Sequence, residues 1–578
     1  MATGTVLGAA SLAIQLSNGC LKGYGVVTSA LAASKELSCV LLQFEIEQSR
    51  LRDFVEAAGL TDETTENNVR PAILAKGTLL LRILAEIQLA LSQFSDNNES
   101  QRIQSVDYAN PTIPHDLGES FNNLINEAFV ASQKPPDKFS LLRSLNWSLF
   151  RRSELEKALK RLARLNDFLR ELLNTQDLRL LQDQQHHRSM ELVQMRNKLD
   201  DILELTQAVQ ASRLNHSQSD TWQRLADAEL DNLAAFKALY MSLLAGETSQ
   251  PGKTRIDPSR ISFQPAGTES ANYRRATYTT NEGRETEVWI HWQDVDIPTE
   301  GSMRPAALMD ELTILLNAQK PDEFCIPPCL GWSPLREGGA QPLPAFVFEN
   351  PPGVDSKAIP VSLLHAMKHS PKPSLTHRVT LAYKIAQCLL YFHVVNWLHK
   401  ALRASNIIMF SSSDNDLDIR SPYLIGFNNS RRSQFGEATS EVPRDGHMEV
   451  YRHPDTQLDG PMLPFRKTFD IYSLGLILVE IAFWKPIVAV MEIEEIVNKS
   501  PRATRDIQER WVHTELRLLA SLRAEVGAKY SSAVEVCLKG RDAFGIDRRD
   551  TETSSTTAMV IQRTFNAQVV RVLAEIAV

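Results

Sequence analysis

Apolar residues recur every three or four positions through most of the first 245 residues, which is the pattern of helices that bury one face. The pattern predicts an almost uncharged helix within residues 1–34 and a second helix over 35–58 that ends at Gly59. It also predicts a third helix over 71–94, which starts at a proline suited to a first turn. The first part of the chain is therefore predicted to be all α.

A fourth predicted helix, over 153–174, has leucines on its buried side and basic residues on its other side. Ser153 and Glu156 have the spacing of a capping box at its start. Further helical stretches are predicted over 178–212 and 219–244. The basic residues form either a solvated face or a landing patch for anionic lipid. They are Arg151, Arg152, Lys157, Lys160, Arg161 and Arg164.

The opening segment has one charged side chain, Lys22, among its first 34 residues. It is either a buried helix of the bundle or a segment that is buried at rest and enters a bilayer on release. The uncharged run from Ala2 to Leu21 has about the length of roughly 20 residues that spans a bilayer. Gln15, Asn18 and the serines disfavour a permanent anchor. The candidate insertion residues are Val6, Leu7, Leu12, Ile14 and Leu16.

Beyond a linker rich in Gly, Ser, Pro and Thr at 246–258, short β-rich runs replace the helical pattern. The runs at 261–263, 273–278 and 286–292 predict three strands of an antiparallel sheet. Apolar helical spacing returns at 381–398, immediately before a polar loop. The second part of the chain is therefore predicted to be α+β.

The loop His399–Asn406 has the frame of the protein-kinase catalytic loop, His-Arg-Asp-Leu-x-x-x-Asn, with Ala401 in the place of the catalytic aspartate. An alanine methyl group cannot accept a proton from a substrate hydroxyl. Asn406 keeps the position of a second metal ligand. The loop therefore indicates a kinase-like fold and argues against kinase chemistry.

The predicted strand 286–292 extends this pattern of loss. A kinase carries Val-Ala-Ile-Lys on its third strand, whereas this chain has His291 in the place of the lysine. Alternation along the strand puts Trp289 on the same face, where its indole would fill the space of an adenine. Glu311 has the position of the αC glutamate. The turn that should cradle phosphates offers only Gly267.

The later positions of the kinase pattern fall into two groups: residues that hold the fold are kept, and a residue that carries out the chemistry is lost. Gly426-Phe427 stands where kinases have Asp-Phe, so the main magnesium ligand is missing. Asp455 follows a proline as in the Ala-Pro-Glu motif. Asp470 opens a helix with the kinase pattern and is predicted to brace the backbone of the catalytic loop. Residues 260–545 thus resemble a protein kinase, and the losses imply a pseudokinase that is not an enzyme.

The first 200 residues resemble the HeLo, or prion-inhibition and propagation, domain of fungal heterokaryon-incompatibility proteins. The resemblance lies in Val6-Leu7-Gly8, Gly23-Tyr24-Gly25, the stretch 42–51, Ala58-Gly59-Leu60 and the tryptophan-containing stretch 143–147. It implies a helical bundle that self-associates and permeabilises membranes through its N-terminal segment, causing cell death. The domain order is similar to that of the mixed lineage kinase domain-like proteins of animals.

Composition narrows the function classes. The net charge of −8 gives no reason to expect a nucleic-acid partner. Six scattered cysteines exclude a disulfide framework, and Cys325 and Cys329 have no nearby His or second Cys pair, so no metal is expected. No signal peptide and no stretch of 18 apolar residues are present, which favours a cytoplasmic protein.

The sequence thus predicts three regions: a HeLo-like bundle over 1–215, a connecting helix and linker over 216–258, and a bilobal kinase-like domain over 259–578. The small lobe covers about 259–350 and the large lobe about 351–578. The expected function is a cell-death-type effector held by its pseudokinase and recruited to a membrane on activation. The expected partners are anionic lipids, other copies of the chain and an unknown activator.

Two alternatives stay open at this point. The first is an unconventional protein kinase that still binds ATP. No cofactor is expected, yet weak ATP binding is compatible with the residues that remain. The second is a signalling scaffold without membrane activity.

Overall fold

A computed structural model describes much of the chain, in segments. The described residues are 2–32, 35–61, 69–94, 123–124, 126–128, 149–213, 221–246, 254–264, 273–292, 304–336, 342–356, 358–411, 417–427, 449–456, 465–493, 516–547, 549–552 and 554–576. The chain forms two compact units. Unit 1 is Met1–Leu192 with Asp200–Ala235, and unit 2 is Val193–Leu199 with Phe236–Val578. The boundaries predicted at 215 and 258 stay predictions.

The described part of unit 1 is helical, as the spacing of apolar residues predicts. Its helices are α1 (Ala2–Leu31), α2 (Ser38–Ala58), α3 (Pro71–Leu74), α4 (Gly77–Ser92), α5 (Leu149–Arg170), α6 (Thr175–Met195), α7 (Leu199–Arg213) and α8 (Thr221–Ala245). The last residues of α6, the first of α7 and the second part of α8 belong to unit 2. Gly59 ends α2 in the left-handed conformation, with φ of 73°.

Helix α1 lies in the core of unit 1. Leu16, Cys20 and Tyr24 are fully buried there, together with apolar residues of α2, α4 and α5. Tyr24 meets Phe44 of α2 edge to face at 6.5 Å between ring centroids. A Cβ added at Gly23 would lie 3.2 Å from the Leu91 side chain, so the absence of a side chain lets α1 approach α4 closely. Both interpretations of this segment expect it to be buried in the bundle at rest, and the structure agrees with that shared expectation.

Two of the predicted helices are divided. The predicted helix 71–94 is interrupted at Lys76, whose Nζ donates to the carbonyls of Glu171 and Leu172 just beyond α5. The prediction of one stretch over 178–212 is also wrong. The chain leaves helical geometry between α6 and α7, where its carbonyls bond to a buried lysine of unit 2. At the second break this lysine takes a carbonyl that a longer helix would have used.

The predicted start of the fourth helix at Ser153 is wrong as well. Helix α5 begins at Leu149, so Ser153 lies inside the helix and is exposed. A residue in the second turn has no free backbone N–H groups to cap. The predicted loop over 95–138 falls almost wholly outside the described residues, as does the stretch 143–147.

Unit 2 contains a five-stranded antiparallel sheet in the order β1-β2-β3-β5-β4. Its strands are β1 (Ile261–Phe263), β2 (Tyr273–Thr279), β3 (Glu285–Trp292), β4 (Cys329–Leu335) and β5 (Leu343–Phe348). Helix α9 (Arg304–Asn317) lies between β3 and β4 in the chain. The three predicted strands are confirmed. Val288 and Ile290 face one core of this sheet, and Trp289 and His291 face the other side.

A mainly helical part follows this sheet. Its elements are the three-stranded sheet of β6 (Ile359–Ser362), β7 (Ile407–Ser411) and β8 (Tyr423–Leu424), and the helices α10 (Leu363–His369), α11 (Leu375–Val394), α12 (Lys467–Phe483), α13 (Ile487–Val490), α14 (Leu516–Lys539), α15 (Ser555–Phe565) and α16 (Arg571–Ile576). Helix α12 is buried from Lys467 to Ala482, with Ile471, Leu474 and Leu478 fully enclosed. It therefore forms the central support for the loop that precedes β7.

Candidate functional site

The loop His399–Asn406 is fixed by Asp470 near the start of α12. One Asp470 carboxylate oxygen accepts the N–H of His399 at 2.9 Å, and the other accepts the N–H of Lys400 at 2.9 Å. Asp470 is fully buried. The structure thus has the backbone brace that the sequence predicts for this aspartate, and α12 positions the loop.

The His399 ring completes the internal bonding of the loop. Its Nε2 lies 3.0 Å from the carbonyl of Ile425, and its Nδ1 accepts the N–H of Ala401 at 3.3 Å. These partners require a neutral ring with the proton on Nε2. Burial lowers the pKa of His399 to about 4, with the Coulombic effect of Arg403 acting in the same direction. The histidine is therefore a structural residue, and Ala401 adds no titratable group.

Asn406 and Gly426 interlock beside this loop. The Asn406 side-chain amide donates to the carbonyl of Ala401 at 2.8 Å. Gly426 has φ of +84°, and a Cβ built on it would lie 2.2 Å from Asn406 Nδ2. No side chain fits at this position unless Asn406 moves. The site therefore lacks the carboxylate of a metal-binding aspartate and also lacks the space for one, which the sequence alone did not show.

Aromatic side chains fill the space between the two sheets of unit 2. Trp289 stacks on Phe348 at 4.5 Å between ring centroids and meets Phe410 of β7 at 6.3 Å. The Tyr273 hydroxyl accepts the N–H of Ser362 at 2.9 Å. Trp289 is 2% exposed. The indole thus occupies the face where the sequence analysis places it.

His291 lies on the same face of β3 and is 6% exposed. Burial lowers its pKa to about 4, and the positive charge of Arg403 contributes. A neutral imidazole cannot supply the positive charge of a phosphate-binding lysine. Arg403, which the sequence analysis did not single out, is therefore the cation that acts on both His291 and His399.

Phe427 is buried in an aromatic cluster. It stacks on Trp397 at 5.2 Å and on Phe392 at 5.8 Å, and meets His399 at 5.0 Å. Phe236 contacts the same Trp397 at 5.8 Å from the second part of α8. The cluster therefore joins the loop region to α8 within unit 2.

The other described positions of the kinase pattern, Glu311 and Asp455, lie on other elements of unit 2. Glu311 is half-buried on α9. Asp455 is exposed in a 3₁₀ turn, 3.7 Å from His453. Gly267 lies outside the described residues. Among those that are described, no group of three His, Cys, Asp or Glu side chains could hold a metal ion.

In unit 1 the candidate insertion residues belong to the core where they are described. Leu16 is fully buried, while Leu12 and Ile14 are half-buried against the core. The side chains of Val6 and Leu7 lie outside the described part. Within the described residues, no helix combines the length and apolarity needed to cross a membrane.

The basic face of α5 is partly neutralised by acidic neighbours. Arg152 pairs with Glu156 at 3.1 Å and Lys157 with Glu154 at 3.3 Å, and Arg161 lies 3.4 Å from Glu86. Lys160 and Arg164 are exposed, and the side chain of Arg151 is outside the described part. The face is therefore less positive than its basic residues alone predict.

Sequence reasoning missed a buried charge network between α2 and α5. Arg50 lies 2.8 Å from Glu47 and 2.6 Å from Asp167, and Asn166 donates to Glu47 at 2.8 Å. All four side chains are buried. Their signal was present in the stretch 42–51, where three polar residues occupy positions that helical spacing places toward the core.

Comparison with known families supports the first part of the reading. Residues 4–206 match the HeLo family model, described as prion-inhibition and propagation. Residues 355–577 match a domain of unknown function, DUF7580. No curated protein matches the chain. The chain therefore carries a HeLo domain followed by a DUF7580 domain, and the HeLo prediction is confirmed. The HeLo family suggests a cell-death role of the heterokaryon-incompatibility type. The kinase resemblance stays a prediction.

Proposed function

We propose that this protein is a cell-death effector in which the HeLo bundle acts and unit 2 regulates it as a non-catalytic, kinase-like switch. The observation that carries the proposal is the burial of α1 at the centre of the matched HeLo region. In that position the buried side of α1 is withheld from partners. A signal that loosens the bundle would make its apolar side available.

Two features of unit 2 support a kinase-like regulator. The antiparallel sheet, with α9 between its third and fourth strands, precedes a mainly helical part, as in a kinase small and large lobe. The Asp470 brace holds a loop in the frame of a catalytic loop. Phosphoryl transfer depends on positioned charge, and the loop offers Ala401 and Gly426 where carboxylates are needed.

We extend the proposal to membranes and self-association. A helix too short of apolar residues to cross a bilayer alone can act there only with partners that cover its polar positions. Several copies of α1 would meet that need, and Lys160 and Arg164 would meet anionic headgroups. An activator protein acting on unit 2 would start the process.

Dye release from anionic liposomes tests this proposal. The full chain, a fragment of residues 1–245 and the same fragment without its first 34 residues would be compared, with circular dichroism to verify that both fragments are helical. Leakage by the 1–245 fragment alone is expected, because unit 2 then no longer restrains the bundle. If none of the folded proteins releases dye, the proposed action on membranes is contradicted.

A scaffold without membrane activity is the second candidate. The ion pairs along α5 and the absence of a spanning helix among the described residues favour it. Cell death on expression of the full chain, with no liposome leakage from any fragment, would support protein recruitment by the HeLo domain instead of membrane damage.

A further inference from the structure

The segment Val193–Leu199 has an unusual position in the chain. It lies inside the matched HeLo region, from the last turn of α6 to the first residue of α7, and yet belongs to unit 2. We call it the strap. Within unit 2 it is held by three polar residues, Lys237, Asn396 and Lys467, which we call the socket.

The socket binds the strap through hydrogen bonds. Lys237 Nζ donates to the carbonyl of Val193 at 2.7 Å and to Asn197 Oδ1 at 3.2 Å. Lys467 Nζ donates to Gln194 Oε1 at 2.8 Å. The Asn396 side chain accepts from Gln194 Nε2 at 3.0 Å and donates to Asn197 Oδ1 at 2.8 Å. In each of these bonds, the donor and the acceptor could form a hydrogen bond to water equally well.

The contact between the strap and the socket has the properties of a reversible one. Both lysines are buried, and the bonds of Lys237 go to neutral oxygens. Burying an ammonium group without a carboxylate carries a large desolvation cost, and the nearby charge of Lys467 adds repulsion. Of the apolar side chains of the strap, Val193 is fully buried and Met195 is 46% exposed. The free energy gained from the hydrogen bonds between strap and socket is therefore largely offset by the cost of desolvating the two lysines.

The socket is built from the same elements that hold the His399–Asn406 loop. Asn396, with φ of 61°, ends α11 by donating its N–H to the His393 carbonyl at 3.2 Å, and His399 follows three residues later. Lys467 donates to the same carbonyl at 2.7 Å and lies one helical turn before Asp470, the brace of the loop. A displacement of the loop therefore moves two of the three socket residues.

We propose that Val193–Leu199 is a reversible strap, docked in the socket formed by Lys237, Asn396 and Lys467, whose release is governed by the His399–Asn406 loop. The socket thus has a partner within the same chain, which is the strap. What its release does to the bundle rests on the proposed function, but the docking itself does not.

Hydrogen–deuterium exchange of the full chain tests the strap. Gln194→Ala removes the acceptor of Lys467, and Asn396→Gly removes the gripping amide while keeping the left-handed turn. Each is expected to speed exchange at 196–199 about tenfold or more, with α12 unchanged. Met195→Ala, an exposed neighbour, is the matched control and is expected to leave the strap unaffected.

Two results would overturn the proposal. Unchanged strap exchange in both variants would show that the socket does not hold the segment. Equal loss of protection in α12 would show that the strap is part of the permanent core. Asp470→Asn tests whether the loop governs release of the strap. Faster exchange of the strap is expected in this variant. An effect confined to the loop and α12 would contradict that part of the proposal. None of these readouts needs lipid or cell death.

Discussion

Replacing Gly426 by alanine is expected to destabilise unit 2 more than its left-handed backbone alone requires. The φ of +84° costs a non-glycine residue about 1–2 kcal/mol. The new Cβ would also lie 2.2 Å from Asn406 Nδ2, so the Asn406 amide must leave its bond to the Ala401 carbonyl. Leaving a buried polar group unpaired costs about 1–3 kcal/mol. The expected total is about 2–5 kcal/mol.

Urea unfolding of the full chain, followed by tryptophan fluorescence, measures this change. Gly353 is the matched control, since its φ is +85° and a Cβ there would have no neighbour within 4 Å. Gly353→Ala is expected to cost only the backbone part, about 1–2 kcal/mol. Adding Gly426→Ala to an Asn406→Ala background is expected to cost the same smaller amount, because the obstructing amide is gone.

The interlock would be refuted by equality of the two single variants. If Gly426→Ala and Gly353→Ala differ by less than about 0.5 kcal/mol, Asn406 does not obstruct position 426. The same would follow if Asn406→Ala left the cost of Gly426→Ala unchanged.

Three further predictions concern buried charges and the position of Trp289. Arg50→Met is expected to cost about 3–5 kcal/mol in the unfolding of unit 1, because two carboxylates lose their partner; exposed Arg52→Met is the control, and equal effects would contradict the buried pair. Burial lowers the pKa of Lys467 from its ordinary value of 10.5 to about 7. Between these values the unfolded chain binds more protons, so stability rises with pH by up to about 1.4 kcal/mol per unit, and Lys467→Met should remove that slope; an unchanged slope would count against it. In the proposed kinase-like unit 2, Trp289 would occupy the place of the adenine, so Mg-ATP is expected to leave the melting temperature unchanged; a saturable rise would show that ATP binds.

Hydrophobic spacing was sufficient to predict the apolar side of most elements. The helices of unit 1 follow it, and so do the first three strands of unit 2, because burial of one face decides their position. Asp470 was also predictable, since its place before an apolar helix and after the loop frame left it one structural task. These features depend on patterns that the local sequence carries.

The features that were missed depend on partners distant in the chain. Lys237 is fully buried, although lysine at such a helical position is usually exposed. The break between α6 and α7 exists because Lys237 takes carbonyls that a longer helix would have used. The lack of space for a side chain at Gly426 is due to Asn406, twenty residues earlier. No local pattern contains these relations.

The interlock of Asn406 and Gly426 also limits how this chain can change over generations. A substitution that placed aspartate at 426 would meet the Asn406 amide and a left-handed backbone before it could ligate a metal. Selection for folding would act against that intermediate first. An acidic side chain at position 426 thus requires coordinated changes at positions 426 and 406, so a single substitution is not enough to place a carboxylate there.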